Sequence, residues 1–503
     1  MLGWTIYISF LGALALALVP KGNVRVARVI ALLSAVAGFA IALTGALAYK
    51  PGEILTVTQV AWVPSLGIEY HLAVDGISLV LLLLTGIAAV AGILFSWNIE
   101  QRTAQFFQFY LVLIGAVYGV FLSFDLFLLF VFYEIAIIPK YFLISIWGST
   151  RREYGAMKLA LYSFAGSAMV LIGMIAAFIE AGARTMSLIE LAKYPFPLSF
   201  QMWAFPLVFV GFAILAGMWP FHTWAPTGHV AAPTGASMLL AGVVMKLGAY
   251  GCLRVAMMLF PRGLEPWGFH VLGFGSWRDL FAVLALIGII YGATVALVQK
   301  DFKFVIGYSS VSHMGFVLLG LMTLNQIGLD GAVLQMFSHG VIAGLLFAVA
   351  GRMVYDRTHT RDLGLLGPMR LSHLLPFAAV VFVIASMASV GIPGFSGFIA
   401  EFEVIVGAWR AFPTLAVLAG VGVLIGIAFA WRVMDKAFFS ESGHTASAHS
   451  EACPPISMAE RAGAVILLAA TLAVGLYPRL LLDWIVPSFH SPLFAGLLKG
   501  GMR

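Results

Sequence analysis

The chain has 503 residues, of which 62% are hydrophobic and only 10% are charged. Soluble globular domains lie far from this balance, because they need many more charged side chains to cover their surface. The formal net charge of +6 does not indicate nucleic-acid binding, since the basic residues form no patch interleaved with aromatic side chains. The composition therefore predicts an integral membrane protein.

Apolar runs of about 20 residues, enough to cross a hydrocarbon core of about 30 Å, recur along the chain. We predict an all-α polytopic membrane protein with about 14 transmembrane helices, called spans 1 to 14. They cover residues 2–20, 27–48, 72–96, 105–123, 126–147, 156–180, 203–221, 232–258, 279–299, 304–323, 329–351, 372–408, 412–435 and 462–485. Span 1 lacks a preceding basic segment and a following cleavage site, so we expect a retained helix rather than a signal peptide.

Spans 7 and 12 are predicted to be discontinuous helices. Span 7 runs into Pro220 and Pro226, and span 12 is interrupted by the sequence GIPGFSG at 391–397, which contains Pro393. Broken helices occur at membrane depth only where protein or a wet cavity covers the freed backbone groups. These two breaks therefore mark candidate functional regions.

Short sequence matches predict an internal repeat. LYSFAG at 161–166 resembles MFSHGV at 336–341, and the broken segment at 217–221 resembles that at 391–395, each about 175 residues later. Five spans separate the matching segments, and because this number is odd the two units would face opposite ways, as in many transporters. We predict two inverted five-helix repeats, spans 4–8 and spans 9–13.

The repeat divides the chain into four units. We predict spans 1 to 3 in residues 1–100, the first repeat in 101–260, the second repeat in 275–440, and a cytoplasmic loop, span 14 and the C-terminal tail in 441–503.

The distribution of Lys and Arg predicts the orientation in the membrane. The loops after spans 1, 3, 5, 9, 11 and 13 carry more of these residues than the other loops and the tails, including Arg151, Arg152, Arg352, Arg357 and Arg361. The positive-inside rule places these loops in the cytoplasm. Both termini are then expected on the outer side of the membrane.

Charged residues inside apolar runs are the first candidates for function. Glu134 and Lys140 lie in span 5, Lys246 in span 8 and Glu401 after the break in span 12. A charge at the centre of a spanning helix costs about 2.5 to 3.5 kcal/mol on insertion scales. Structural ion pairs are the alternative explanation, and Lys140 could instead extend to the membrane interface. Glu403 would point about 200° away from Glu401 on a helix.

Histidines near small polar residues suggest a route for protons. His313 and His339 lie among serines such as Ser338, and His222 and His229 lie beside the break in span 7. A neutral imidazole both donates and accepts a proton, although packing roles stay open for each. Burial favours a neutral lysine and a nearby carboxylate favours a charged one, so a moving carboxylate would switch the lysine between holding and releasing a proton. No nucleophile with a base and no metal site is predicted.

Six motifs follow one another from span 5 to span 12. They are FYEIAIIPKYFLISIWG at 132–148, WPFHTW at 219–224, APTGAS at 232–237, LAGVVMKLGAYG at 240–251, SVSHMGF at 310–316 and GIPGFSGFIAEF at 391–402. In this order they resemble the chain M antiporter-like subunits of bacterial NADH-quinone oxidoreductase, respiratory complex I. The resemblance extends from about span 3 through span 13.

This resemblance implies a proton-translocating subunit of the bacterial cytoplasmic membrane, driven by quinone reduction in a distant arm. It assigns Glu134 as the carboxylate of span 5, Lys246 as the central lysine and Glu401 as the exit residue, with His313 and His339 connecting them. No cofactor is expected in this chain. FMN, iron–sulfur clusters and quinone are expected in partner subunits, with chain L-like and chain N-like neighbours in the membrane.

Two other transport functions and one structural function compete with this interpretation. A subunit of a multisubunit Mrp-type cation/proton antiporter and a membrane-arm subunit of an energy-converting hydrogenase share the plan of broken helices. A membrane scaffold without transport is the third alternative, but intramembrane charges are typical of functional sites.

One departure from the family concerns span 7. The family carries a lysine there that pairs with the glutamate of span 5, whereas this chain has Leu215, and it has Lys140 where the family has a neutral residue. We hypothesise that Lys140 replaces the missing lysine as the partner of Glu134. Six residues on an ideal helix place the two about 9 Å apart along the axis and on different sides. Contact would therefore require bridging water or a distortion at Pro139. The alternative is a specialised copy in which the span 7 step is lost.

Overall fold

The computed structural model describes residues 1–20, 22–266, 272–440 and 453–500, without the side chains of the last two. Twelve helices in this part of the chain are long and apolar enough to cross a membrane. Counting the bent pair Arg479–Phe489 and Pro492–Leu498 as one span gives up to thirteen, and Trp4–Ala17 and Pro376–Ser389 are shorter apolar helices. The predicted helical polytopic membrane fold is confirmed.

Each predicted span contains a helix. The twelve long ones are Val24–Ala48, Gly76–Phe95, Thr103–Leu122, Leu126–Trp147, Arg152–Glu180, Leu198–Ala231, Thr234–Met257, Trp277–Val298, Phe302–Met322, Gln326–Thr358, Pro413–Phe439 and Met458–Leu476. The last of these ends earlier than predicted because Pro478 follows it and cannot donate a helical hydrogen bond. Its first turn is stabilised by a capping box between Ser457 and Glu460.

A β-hairpin was not predicted. Strand β1 (Leu55–Val63) pairs antiparallel with β2 (Ile68–Val74) in the loop between spans 2 and 3. β-branched residues are frequent in β1, which favours a strand, and Gly67 provides the left-handed backbone of the turn with φ +59°. The alternating sequence of this short segment is the signal that indicates the hairpin.

Both predicted breaks are confirmed. Span 7 ends its first helix, Leu198–Ala216, at Gly217, and the chain resumes as the helix Trp224–Ala231. Span 12 consists of Pro376–Ser389 and Ser396–Ala411. Span 5 contains a further interruption, at Ala136, which separates Leu126–Ile135 from Ile137–Trp147 and was not predicted.

Span 8 contains two π-helical segments. Leu240–Val244 and Cys252–Met257 flank the α-helix Met245–Gly251, which carries Lys246. π-helical turns occur frequently at functional sites, because they shift side chains out of the regular helical register. The inverted repeat and the division into four units stay predictions, and residues 441–452 of the last unit lie outside the described residues.

Candidate functional site

Lys246 and His339 meet where span 8 approaches span 11. Lys246 Nζ lies 2.8 Å from His339 Nδ1 and also donates to the Ala241 carbonyl. The close approach depends on Gly242 and Gly340, because a Cβ on either residue would run into the carbonyl of the other. Lys246 is fully buried. An ammonium has no acceptor, so Lys246 donates and His339 Nδ1 accepts when the lysine is charged.

His313 and Glu401 form the next contact along this chain of groups. His313 Nδ1 lies 2.9 Å from Glu401 Oε1, and its Nε2 lies 3.1 Å from Ser389 Oγ. Gln335 Nε2 donates to the same carboxylate oxygen at 3.2 Å. Glu401 is only 5% exposed, so these groups replace the solvation that its carboxylate would have in water.

A cavity connects the two contacts. The space in it that the centre of a water molecule can occupy is about 10 Å³, and His313, His339, Glu401, Gln335 and Ser338 are among its lining residues. The two imidazole rings have centroids 5.4 Å apart. This space is about what one water molecule needs, and such a water would bridge the two histidines.

Span 5 holds the other predicted pair in a different arrangement. Glu134 lies in the last turn before the break at Ala136, and Lys140 lies in the first turns after it. Each acts on the charge of the other, but no ion pair within 4.0 Å joins them among the described residues. Lys140 is 1% exposed, so it does not extend to the interface, and its Nζ has no hydrogen-bond partner in this part of the chain.

Leu215 occupies the position of the lysine that the resemblance predicts. It is 2% exposed and belongs to the apolar core. Because no lysine lies at position 215, the side chains that influence the ionisation of Glu134 are Ser167 and Lys140. This arrangement is compatible with the hypothesis that Lys140 replaces the family lysine.

The remaining predicted histidines lie near the break in span 7. His222 is 2% exposed, and its ring centroid is 5.0 Å from that of Tyr291. His229 is fully buried, and neither of its ring nitrogens has a hydrogen-bond partner among the residues described. The ring of His229 packs against Trp224 and Phe347.

The three prolines occupy the breaks. Pro220 follows Trp219 by a cis peptide bond, Pro226 lies in the first turns of Trp224–Ala231, and Pro393 lies between the two helices of span 12. Across the first break, Trp224 Nε1 donates to the Ile214 carbonyl at 2.8 Å. Protein groups thus satisfy a backbone carbonyl at the break, as membrane depth requires.

Two predicted accessory residues have polar partners of their own. Ser338 Oγ lies 2.8 Å from Ser396 Oγ, which lies 2.9 Å from Thr471 Oγ1, so hydroxyl groups join spans 11, 12 and 14. The carboxylates of Glu403 and Asp330 interact electrostatically. Asp330 is buried and accepts two hydrogen bonds from Gln326. The sequence analysis did not identify it. Its position near the start of span 11, so close to a loop, concealed it.

A buried ion pair was also missed. Arg254 lies in span 8, is fully buried, and its Nη2 is 2.5 Å from Asp75 Oδ2. The Tyr250 hydroxyl accepts from Arg254 Nε at 3.1 Å. Arg254 lies near the end of the predicted span 8, where a basic residue is also expected as a topology signal, and this position concealed it. The pair joins span 8 to the start of span 3 and is separate from Lys246.

Comparison with known proteins identifies relatives of the whole arrangement. Residues 123–426 match the sequence profile described as NADH:quinone oxidoreductase/Mrp antiporter, transmembrane. NADH-quinone oxidoreductase subunit M of Rhodobacter capsulatus is 36% identical over 501 residues, 96% of this chain and 94% of the relative. The protein of the same description from Pseudomonas aeruginosa is 34% identical, covering 98% and 97%.

Solved structures show the same fold. A chain of respiratory complex I from Thermus thermophilus with bound NADH has a TM-score of 0.86 and 28% identity, covering 99% of this chain and 100% of that one. A chain of the Mrp complex from Dietzia sp. has a TM-score of 0.82 with 20% identity, covering 100% and 99%. The second likeness shows the fold alone.

Proposed function

The chain belongs to the NADH:quinone oxidoreductase/Mrp antiporter transmembrane family, and from this premise we propose that it carries protons through its own buried side chains. The observation that supports this function is the succession Lys246, His339, His313 and Glu401, whose charged or titratable atoms follow one another through the packed helices. Quinone reduction elsewhere in the complex would drive the movement. This chain is a membrane-arm subunit of such a complex.

The geometry supports a specific order of transfer. Charged Lys246 donates its proton to His339 Nδ1, and the imidazole releases a proton from Nε2 to water in the cavity. That water passes a proton to His313, which transfers one to Glu401 across the 2.9 Å contact. The two histidines begin and end with the same number of protons, whereas Lys246 loses one and Glu401 gains one, so one proton advances from the lysine to the carboxylate.

Glu134 and Lys140 would control when Lys246 gives up its proton. In a low-dielectric interior the interaction between charges extends over several ångströms. A change in the charge of Lys140 or in the orientation of Glu134 therefore alters the balance between charged and neutral lysines. This influence does not require direct contact. It therefore agrees with the observation that no ion pair joins Glu134 and Lys140 among the described residues.

We further propose the surroundings of the subunit. Its location would be the bacterial cytoplasmic membrane, with both termini outside and the Lys- and Arg-rich loops inside. Chain L-like and chain N-like subunits would flank it, and FMN, iron–sulfur clusters and quinone would be bound by other partners. Protein pulled down from gently solubilised membranes should therefore contain flavin and iron–sulfur subunits by mass spectrometry.

The proteins that are recovered with this chain distinguish the alternative functions. Small antiporter subunits alone would indicate an Mrp-type antiporter, and a nickel–iron hydrogenase would indicate an energy-converting hydrogenase. Either result would contradict the oxidoreductase function while keeping the proton path.

The test of the path itself is Lys246→Met in the complete complex. We expect the variant to lose proton movement into proteoliposomes per NADH oxidised, because Met cannot hold a proton. Fluorescence quenching of a pH-sensitive dye reports the movement, and absorbance reports NADH oxidation. Full acidification by an assembled Lys246→Met complex would contradict the proposal.

A further inference from the structure

A second polar cavity lies beside the loops that the Lys and Arg distribution assigns to the cytoplasm. The space in it that the centres of water molecules can occupy is about 210 Å³, and Ser96, Asn98, Thr234, Lys303 and Asp356 are among its lining residues. Asn98 is exposed, whereas Ser96 and Lys303 are buried. The cavity therefore leads from the surface into the packed helices, and its size and polar lining suit water.

Lys303 is the most buried charged residue of this lining. It is 2% exposed, and its Nζ donates to the Ala232 carbonyl at 3.1 Å. An ammonium group has three N–H donors, and this is its one hydrogen bond within the described ranges. The other two donors are free to bind water in the cavity.

The charged neighbours of Lys303 already pair with one another. Asp301, Asp356 and Arg361 are the groups that act on its charge. Asp301 lies 3.1 Å from Arg361, and Asp356 lies 2.9 Å from Arg352. Lys303 forms no ion pair within 4.0 Å in the part of the chain that the structure describes. A structural salt bridge therefore does not account for its burial.

The Ala232 carbonyl connects Lys303 to the segment that carries His229. Ser237 Oγ donates to the carbonyls of His229 and Ala232, at 2.8 and 3.1 Å, and holds this turn together. Lys246 and Lys303 are the charges that act on His229. The charges of both lysines thus reach His229, and both of its ring nitrogens are unpartnered among the residues described.

We propose that Lys303 is the residue that takes up protons from the cytoplasmic cavity and passes them through His229 towards Lys246. Charged Lys303 gives a proton through water to the imidazole and becomes a neutral amine. It then regains a proton from water in the cavity, while His229 passes its extra proton on to neutral Lys246. This role rests on the proposed function and adds its cytoplasmic half.

The pair Lys303→Arg and Lys303→Met tests this role in the complete complex. Arg keeps the positive charge but does not release its proton in proteins. We expect both variants to reduce proton movement per NADH oxidised by about tenfold or more, since positioned proton-transfer groups contribute at least this much. The control Lys300→Met removes an exposed lysine three positions earlier and should retain the wild-type ratio.

The outcomes separate this inference from the proposed function. Wild-type pumping by Lys303→Arg would overturn the uptake role, because the charge alone would then suffice. Pumping by Lys246→Met in the same assay would instead contradict the proposed function. A native gel measures assembly: if Lys303→Met does not assemble, Lys303→Arg decides, and if neither assembles, the role is structural and the proposal is overturned.

Discussion

The two halves of the candidate pathway hold their buried charges in different ways. In the half around span 11, Lys246 lies 2.8 Å from His339 and His313 lies 2.9 Å from Glu401, with a cavity between the histidines. In the half around span 5, Lys140 has no hydrogen-bond partner among the described residues. One half is thus arranged for transfer along existing contacts, whereas the other requires bridging water or movement of a side chain.

The backbone explains this difference. Gly242 and Gly340 let spans 8 and 11 approach closely enough for a lysine to reach a histidine. In span 5, Glu134 and Lys140 are six positions apart, on either side of the interruption at Ala136, and no direct ion pair joins them in the described structure. An unpaired buried charge destabilises the fold. The presence of the unpaired Lys140 therefore favours a role in transport over a role in stability.

The largest expected effect concerns the unpaired lysine. Lys140→Met should abolish proton movement per NADH oxidised, because among the described residues Lys140 is the basic side chain that acts on Glu134. Dye quenching in proteoliposomes measures the effect. Lys193→Met, which removes an exposed lysine in the same half, is the matched control and should pump normally. Full pumping by Lys140→Met would show that the first half needs no lysine at this position.

A second substitution sharpens this prediction. Leu215→Lys combined with Lys140→Met returns the lysine to span 7, where the family carries it. We expect the double variant to recover part of the lost pumping, provided that it assembles. Recovery would show that the two positions serve one function, whereas an assembled double variant without pumping would contradict the replacement hypothesis.

The next effect tests the connected half. Glu401→Gln keeps the size of the side chain but cannot bind the transferred proton, so we expect pumping to fall by about tenfold or more. Asp435→Asn removes an exposed carboxylate of the same half and serves as control. If Glu401→Gln pumps as well as the control Asp435→Asn, Glu401 is not part of the proton path.

The smallest effect concerns the support of His313. Ser389→Ala removes one neutral hydrogen bond to Nε2, which contributes about 1 kcal/mol to its orientation and hence about fivefold to the population of the productive ring. We expect the rate of pumping to fall by about this factor, while assembly stays normal on a native gel. A loss as complete as that of Glu401→Gln would mean that Ser389 itself carries the proton.

Much of the fold could be predicted because the bilayer imposes it. About 20 apolar residues must form a helix to satisfy their backbone in hydrocarbon, so the spans followed from composition. The Gly–Pro sequences at 217–220 and 391–394 interrupt that pattern visibly and gave both confirmed breaks. The break at Ala136 has no glycine beside it, and its sequence signal is Pro139, three residues later, where the helical hydrogen-bond pattern loses a donor.

The sequence by itself singled out Glu134, Lys140, Lys246 and Glu401, because each interrupts an apolar run; the last three are buried and Glu134 is half-buried. Only the tertiary structure decided their partners. Lys246 meets His339, which is 93 positions away, and Asp75 meets Arg254, which is 179 positions away. Local patterns carry no information about such distant pairs, since the pairs depend on how closely the helices pack and which faces they turn towards each other.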